Sequence, residues 1–375
     1  MVVELETSIL SEKGHEVKTL LFDNRSINSG ISKIIAAIRS VYNFSSAKKV
    51  SKIINEFKPD IIHVHNLFFI SSPSVLYAAG KKKIPVILTL HNYRLICANA
   101  ILLRNNRPCE LCISKKFPIS GTRYKCYRNS SIESAAVTAI TGLHKLYNTW
   151  KNKIYTYITL TEFSKSKFLH SSLQVPEHKM ITKPNFVPDP GESNNPREDF
   201  FLFAGRIIKE KGVHVLIKAF AEMPESKIII IGDGPEKESL QKEFQSSQNI
   251  LFTGYLGKQK VNEYMNRCKA LVCPSIWWEG APLTVIEAFA TGTPVIASRL
   301  EPMAESVSDG FNGLLFTAGD ADDLKRKIKL FNTETNNNSF LYKNARQTYL
   351  EKFSPDIHYD AILKIYQLAT AGNNA

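Results

Sequence analysis

Short apolar runs alternate with amphipathic stretches along the chain, and this alternation restricts the fold more than any other feature of the sequence. The runs with the length and composition of buried strands fall into two series: Val17–Phe22, Ile61–Val64, Pro85–Leu90 and Tyr157–Thr161, then Phe200–Ala204, Lys227–Ile231, Ile250–Phe252, Ala270–Val272 and Pro294–Ala297. Strands that alternate with helices form parallel sheets covered on both faces. The sequence therefore predicts an α/β fold of two doubly wound, Rossmann-like domains that face a cleft, with ligands bound at the carboxyl ends of the strands.

The segment Lys183–Gly191 separates the two series and is rich in proline, which is typical of an interdomain linker. We therefore expect a first domain over residues 1–185, a second over residues 190–352, and a final helical segment over residues 353–375. In the first domain a predicted helix at Met1–Lys13 precedes the first strand. We expect this domain to lack the opening strand and the Gly-rich loop with which a doubly wound fold normally begins.

The positive charge of the chain is concentrated in its first half. Residues 1–190 contain 27 Lys+Arg and 12 Asp+Glu, whereas residues 191–375 contain 21 and 23, and the whole chain has a net charge of +13. A basic domain suggests an anionic partner such as an acidic lipid, an acidic glycan or a nucleic acid, although a generally basic surface would give the same counts. Because no recognised nucleic-acid motif is present, we expect no nucleic-acid partner.

Composition places the chain among soluble globular proteins, with 43% hydrophobic and 22% charged residues. No run approaches the roughly 18 apolar residues that a membrane-spanning helix needs. The first residues also lack the long apolar core of a signal peptide. These features predict a cytoplasmic protein.

Glu279 and Glu287 flank the passage from a predicted strand into a predicted helix. The free N–H groups at the start of a helix bind anions, so this position suits a diphosphate. Glu287 lies one turn inside the helix, where it can reach ribose hydroxyls, and Glu279 lies in the preceding loop, where it can reach sugar hydroxyls. The alternative is a pair of solvated acids. The intervening residues expected to contact the same ligand are Gly280, Pro282, Leu283 and Thr284.

Two more loops follow strands of the same predicted sheet. Arg206 offers a planar fork of donors and Lys211 a point charge, and together they can neutralise a diphosphate. A charged loop beside a helix would show the same pattern without a ligand. Gly234 and Gly254 follow the next two strands, so we include them among the expected donor-binding residues, although such glycines alone are weak indicators.

His91 directly follows the predicted strand Pro85–Leu90 and is expected at the lip of the cleft. A lone histidine is more often structural, but the end of a strand favours a functional position. His63 and His65 flank Val64 at another strand end, and we interpret them as structural or minor cleft residues.

Taken together, these motifs resemble those of the bacterial family 4 (group 1) glycosyltransferases, which have the GT-B fold, and the resemblance spans nearly the whole chain. It implies a retaining transfer from a nucleotide-sugar donor without a catalytic metal or other cofactor. It assigns His91 and Glu279 to the donor sugar and the reaction centre, Glu287 to the ribose, and Arg206 and Lys211 to the diphosphate.

The resemblance also implies an acceptor and a location. The acceptor would be a saccharide or a lipid-linked saccharide in the synthesis of a cell-surface polysaccharide such as lipopolysaccharide or capsule. The basic N-terminal half would then contact the anionic inner face of the cytoplasmic membrane, and the last helix would cross back to the first domain. The alternative is a truncated or catalytically impaired family member that binds a glycan or a partner.

Four of the six cysteines, Cys97, Cys109, Cys112 and Cys126, lie in a basic insert over residues 97–128. A C-x2-C pair with two further cysteines is the pattern of a tetrahedral structural zinc site. Unpaired thiols remain an alternative because the outer spacings are irregular, and disulfides are less expected in a reducing cytosol.

Asp320 and Asp322 form a D-x-D sequence, which binds metal in another glycosyltransferase fold. Here it precedes an amphipathic stretch that begins at Leu324. We therefore predict that it caps a helix.

Overall fold

The computed structural model describes residues 2–24, 39–191, 196–333 and 339–372 of the 375-residue chain. The chain divides into two compact units, the first formed by Met1–Lys183 with Tyr359–Ala375 and the second by Pro184–His358. Each unit contains a parallel sheet with helices, which confirms the α/β class.

The first unit contains a four-stranded parallel sheet in the order β1-β2-β5-β6 and a separate two-stranded hairpin, β3-β4. The strands are β1 (Ile62–Val64), β2 (Val86–Leu90), β3 (Leu103–Arg104), β4 (Arg107–Pro108), β5 (Thr156–Thr159) and β6 (Met180–Thr182). The helices are α1 (Val2–Glu12), α2 (Phe44–Phe57), α3 (Ser74–Lys81), α4 (Ile119–Arg123), α5 (Ser131–Leu146), α6 (Thr149–Asn152) and α7 (Glu162–Leu169). Strand β2 is buried at every residue, as expected for the interior of a parallel sheet.

Most of the last helix, α15 (Pro355–Ala371), belongs to the first unit. Its residues Ile362 and Ile365 pack in one apolar cluster with Leu10 of α1, Ile87 of β2 and Ile158 of β5. Helices from the two ends of the chain therefore cover the same part of this sheet.

The prediction of a strand at Val17–Phe22 is wrong. This segment pairs with none of the described strands, and the Leu21 side chain is 73% exposed. An extended run forms a strand only where a neighbour pairs with its N–H and C=O groups, and residue composition does not supply that neighbour.

The second unit contains a six-stranded parallel sheet in the order β12-β11-β10-β7-β8-β9. The strands are β7 (Phe201–Ala204), β8 (Ile228–Ile231), β9 (Ile250–Gly254), β10 (Leu271–Cys273), β11 (Val295–Ser298) and β12 (Gly313–Phe316). The helices are α8 (Val213–Ala221), α9 (Lys237–Glu243), α10 (Lys258–Arg267), α11 (Leu283–Ala290), α12 (Glu301–Ala304), α13 (Ala321–Thr333) and α14 (Ser339–Lys352).

The order of these strands locates a ligand crevice. The chain starts in the middle of the sheet at β7, proceeds outward to β9, and then continues on the other side of β7 with β10. The winding direction reverses between β7 and β10, and in doubly wound sheets ligands bind at such a switch point, outside the carboxyl ends of the strands. Both faces of the sheet are covered, because Leu202 packs in one apolar cluster while Phe201 and Phe203 pack in the other.

The D-x-D prediction is confirmed. The Asp320 side chain accepts hydrogen bonds from the backbone N–H groups of Asp322 and Asp323, at 2.9 and 3.0 Å, where α13 begins. Asp320 is thus an N-cap.

Within the ranges that the structure describes, no helix combines the length and the apolar character needed to cross a bilayer.

Candidate functional site

Two charged residues from different loops pair at the switch point of the second unit. Lys211 follows β7 and Glu279 follows β10, and the Lys211 Nζ lies 2.6 Å from the Glu279 Oε2. The Ser275 hydroxyl donates a hydrogen bond to the other carboxylate oxygen, Oε1. Glu279 is 7% exposed, so it is a buried carboxylate with both oxygens bonded. The sequence predicted both residues here, but not that they pair.

A glycine allows the two loops to approach each other. Gly212 has a left-handed φ of 67°, and a Cβ at this position would lie 1.9 Å from the Pro274 carbonyl oxygen. The Ile276 N–H also donates to the Glu210 carbonyl at 2.9 Å. The backbone of the Lys211 loop is therefore fixed against the loop that carries Glu279.

The helix α11 begins at Leu283, directly after this loop, with Pro282 as its N-cap residue. The N–H groups of its first two residues, Leu283 and Thr284, have no partner within the helix and are available to an anion. The Val285 N–H already donates to the Pro282 carbonyl at 3.1 Å. Gly280 and Pro282 lie half-buried just before Leu283. The predicted diphosphate position thus lies beside the Lys211–Glu279 pair.

Glu287 lies one turn inside α11 with its side chain 13% exposed. Burial raises the pKa of this carboxyl, and Lys258, whose Nζ lies 3.9 Å from the Glu287 Oε1, lowers it. Lys258 at the start of α10 is a residue that the sequence interpretation missed. It keeps a partly desolvated acid paired in the absence of a ligand.

Arg206 is exposed and forms no ion pair with a described residue, so its guanidinium is available to an anion. Gly234 packs against the same loop, since a Cβ there would lie 2.2 Å from the Ile207 carbonyl oxygen. Gly254 ends β9 with a φ of 77°, and its carbonyl accepts from the Gly232 N–H at 2.9 Å. Both glycines have backbone roles at the carboxyl edge of this sheet.

A second polar cluster lies at the carboxyl ends of β1 and β2 in the first unit. The His91 Nε2 lies 2.9 Å from the His65 Nδ1, and the His65 Nε2 lies 3.0 Å from the Glu6 Oε2. Lys183 donates to the other Glu6 oxygen at 3.3 Å. His65, which the sequence suggested to be structural or minor, therefore links His91 to a buried ion pair. The burial of Glu6 could have been predicted from the sequence, because Glu6 precedes Ile9 by three residues and so lies on the apolar face of α1.

Two histidines of this cluster, His91 and His63, are neutral near pH 7. Burial and, to a smaller extent, the neighbouring His65 lower the pKa of His91 to about 4 against the opposing effect of Glu6. Burial also lowers the pKa of His63 well below its usual value. If the neutral His91 donates its Nε2–H to the His65 Nδ1, the His91 Nδ1 is left as an acceptor.

Glu6, His63 and His65 are also the one group of described residues with ligand atoms close enough to hold a metal ion, within 4.8 Å of one another. Two features favour a hydrogen-bonded network instead. Lys183 places a positive charge beside Glu6, and the His63 ring nitrogens already bond to the hydroxyls of Tyr366 and Thr89 at 2.8 and 2.7 Å.

His65 and His91 also line an open cavity. Its wall continues along the residues that follow β2, including Asn92, Arg94 and Leu95. The predicted residue His91 therefore lies where a polar ligand of the first unit could contact it.

The four cysteines of the insert share a second cavity. All four are free thiols. Burial raises the pKa of Cys97 and Cys126, and raises that of Cys112 to about 11. The sequence predicted that these residues act together, and the fold brings them to one place.

Two family models match this chain. The model described as "Glycosyl transferases group 1" matches residues 189–348, and the model described as "Glycosyltransferase Family 4" matches residues 9–118. The chain belongs to the family 4 (group 1) glycosyltransferases. The resemblance inferred from its motifs is thereby confirmed, and the protein is an enzyme of sugar transfer.

Individual relatives of this glycosyltransferase agree with the family. It is 26% identical to an uncharacterized glycosyltransferase of Methanocaldococcus jannaschii over 98% of this chain and 94% of that protein. It is 29% identical to the lipopolysaccharide core biosynthesis glycosyltransferase LpsE of Rhizobium meliloti, over 43% of this chain. The chain spans 47% of the length of LpsE, which is less than half.

Among solved structures, this glycosyltransferase resembles Anabaena HepE in complex with UDP-glucose. The TM-score is 0.63 at 16% sequence identity, and the match covers 91% of this chain and 90% of HepE. At this identity the likeness shows the fold alone, which is GT-B.

Proposed function

We propose that this glycosyltransferase moves a sugar, with retention of the anomeric configuration, from a nucleotide-sugar donor to a saccharide or lipid-linked saccharide in cell-surface polysaccharide biosynthesis. The observation that carries the proposal is the Lys211–Glu279 pair beside the first turn of α11 at the switch point of the second unit. The likeness to HepE, solved with UDP-glucose, supports the donor class, and the similarity to LpsE supports the biosynthetic role.

The donor would be held by charge and by hydroxyl contacts. Arg206, Lys211 and the first N–H groups of α11 would bind the diphosphate and stabilise the charge that develops as it departs, so that no catalytic metal or other cofactor is required. Glu287 would accept hydrogen bonds from the ribose hydroxyls. Glu279, already bonded by Lys211 and Ser275, would accept from a sugar hydroxyl through its remaining lone pairs.

The histidine cluster would serve the reaction from the first unit. A neutral His91 whose Nε2–H is donated to His65 presents its Nδ1 as an acceptor for a sugar hydroxyl. Glu6 and His65 would be positioning residues, because they act on the substrate only by fixing the tautomer and the orientation of His91.

The donor site is tested by calorimetric titration with UDP, GDP and ADP. We expect Arg206→Ala and Glu287→Ala each to weaken binding of the preferred nucleotide about 10- to 100-fold, since a hydrogen bond to a charged group contributes roughly 1.5 to 3 kcal/mol. The matched control is Arg326→Ala, which removes an exposed arginine of α13. Unchanged affinity in both site variants would show that the donor site lies elsewhere, and binding without turnover on a full donor panel would favour the impaired-enzyme alternative.

We also propose that the basic first half contacts anionic lipid at the cytoplasmic membrane, where the acceptor would be found. We expect the protein to float with vesicles containing about one third phosphatidylglycerol and to be released by roughly 0.5 M salt, because exposed charges are then screened. Pure phosphatidylcholine vesicles are the control. Equal flotation with both vesicles, or a preference for a DNA oligonucleotide over anionic vesicles, would contradict this proposal.

A further inference from the structure

The cysteine cavity of the first unit brings together four segments of the insert. Cys97 lies in the turn after β2, Cys109 directly follows β4, Cys112 lies in the next turn, and Cys126 comes after α4. The cavity is otherwise lined by Ala98, Asn99, Leu103, Arg104, Leu111, Ser120 and Tyr124. No part of the proposed sugar transfer uses it.

Backbone contacts fix the segments that carry these thiols. The Cys109 N–H donates to the Leu102 carbonyl at 2.8 Å across the hairpin, and the Cys126 N–H donates to Gly121 at 2.9 Å. A Cβ at Gly121 would lie 2.5 Å from the Ala98 side chain, so α4 packs directly against the residue that follows Cys97. The short hairpin and the short helix thus hold the four cysteines around one point, although neither is stable in isolation.

Charge provides a second, independent observation. The Arg104 guanidinium stacks over the Tyr124 ring at 4.2 Å, and its Nε is buried without a hydrogen-bond partner among the described residues. Lys145 of α5 is 6% exposed and donates to the carbonyl of Lys115, three residues after Cys112, at 3.2 Å. Arg104 is half-buried and Lys145 is buried, and neither cation forms an ion pair with a described residue, so neutral thiols would leave both without a counter-charge. A divalent ion bound by four thiolates carries a net charge of about −2, which the two cations would balance.

From this arrangement we propose that Cys97, Cys109, Cys112 and Cys126 bind one Zn²⁺ in tetrahedral geometry. The four thiols lose four protons, and the four thiolates form four Zn–S bonds with no change in oxidation state. No three of the sulfur atoms lie within 4.8 Å of one another in the structure, so the ion would draw the side chains inward to S–S separations of about 3.8 Å.

The site would have a structural role next to the reaction chemistry. Cys97 follows His91 by six residues, and the intervening Asn92, Arg94 and Leu95 line the His91 cavity. A zinc ion bound by Cys97 would therefore fix the C-terminal end of the segment that lines the His91 cavity. The folded insert would bind zinc, whereas the unfolded chain does not keep the four cysteines together. Zinc binding would therefore also stabilise the folded insert.

Metal analysis of protein purified without chelator tests the proposal. We expect about one zinc per chain, X-ray absorption with four sulfur neighbours near ~2.3 Å, and loss to below about 0.2 zinc in Cys112→Ser and Cys126→Ser. The matched controls are Cys268→Ser and Cys273→Ser, which change buried cysteines outside the cavity and should retain the zinc.

If a cysteine variant fails to fold, the proposal is tested on the wild-type protein. Removal of the metal and titration with zinc against a colorimetric chelator should restore one equivalent, with the release of protons. Less than about 0.2 zinc in the wild-type protein together with no uptake would overturn the proposal. Iron in place of zinc, or an intact mass that shows two disulfides under reducing purification, would overturn it as well. Since none of these measurements involves turnover, they are independent of the proposed sugar transfer.

Discussion

Replacing Lys211 by alanine is expected to lower the rate of sugar transfer by at least ~100-fold. The change removes a cation from the position where the diphosphate charge develops, and loss of one such interaction typically costs about 10²- to 10³-fold in kcat. It also leaves Glu279 buried with only the Ser275 hydroxyl bonded to it. The measurement is the initial rate with the preferred donor, separated into kcat and KM, together with the calorimetric affinity for the nucleoside diphosphate.

Stability must be measured on the same variant, because removing one partner of a buried pair is destabilising. We expect a loss on the order of 3 kcal/mol, smaller if water reaches the carboxylate. Lys211→Met with Glu279→Gln removes both charges and should recover part of the stability without recovering activity. Lys325→Ala, which breaks an exposed pair with Glu222 in the same unit, is the control. A Lys211→Ala enzyme with wild-type kcat and KM would refute the proposed role.

Local pattern predicted the strands well where an apolar run is bounded by polar residues or breakers. The expected run Phe200–Ala204 became Phe201–Ala204, and Pro85–Leu90 became Val86–Leu90. Strand Gly313–Phe316 was missed because it begins with glycine, which disfavours strands by propensity. The structure shows why glycine is required there, since a Cβ would lie 2.0 Å from the Val295 carbonyl oxygen.

The residues of the candidate site were likewise predictable only where a local sequence pattern marks them. Glu279 and Glu287 were identified because a strand, a loop and a helix follow one another within a short segment. The partner of Glu279, 68 residues earlier in the chain, was beyond a local pattern. The link from His91 through His65 to Glu6 was missed for the same reason, because helix α1 reaches these strand ends only through tertiary packing.

Acid is expected to destabilise the first unit through its neutral histidines. Burial lowers the pKa of His91 from 6.5 to about 4, so between these values the unfolded chain binds more protons than the folded chain. Stability is therefore fully present above pH ~6.5, falls as the pH drops, and stops falling below pH ~4. The shift corresponds to up to about 3 kcal/mol. The free energy of unfolding of the full chain, measured with urea at pH 7.5, 6, 5 and 4.5, gives this slope.

His91→Asn isolates the contribution of this one side chain. The variant should unfold with a flatter pH dependence between pH 7.5 and 4.5 while it loses activity at every pH, because the proposed acceptor atom is gone. His178→Asn, at an exposed position of the same unit, should leave both slope and rate unchanged. If His91→Asn retained the full wild-type slope, the acid sensitivity would come from His63, whose pKa is also lowered by burial, and the burial of His91 would not govern its charge.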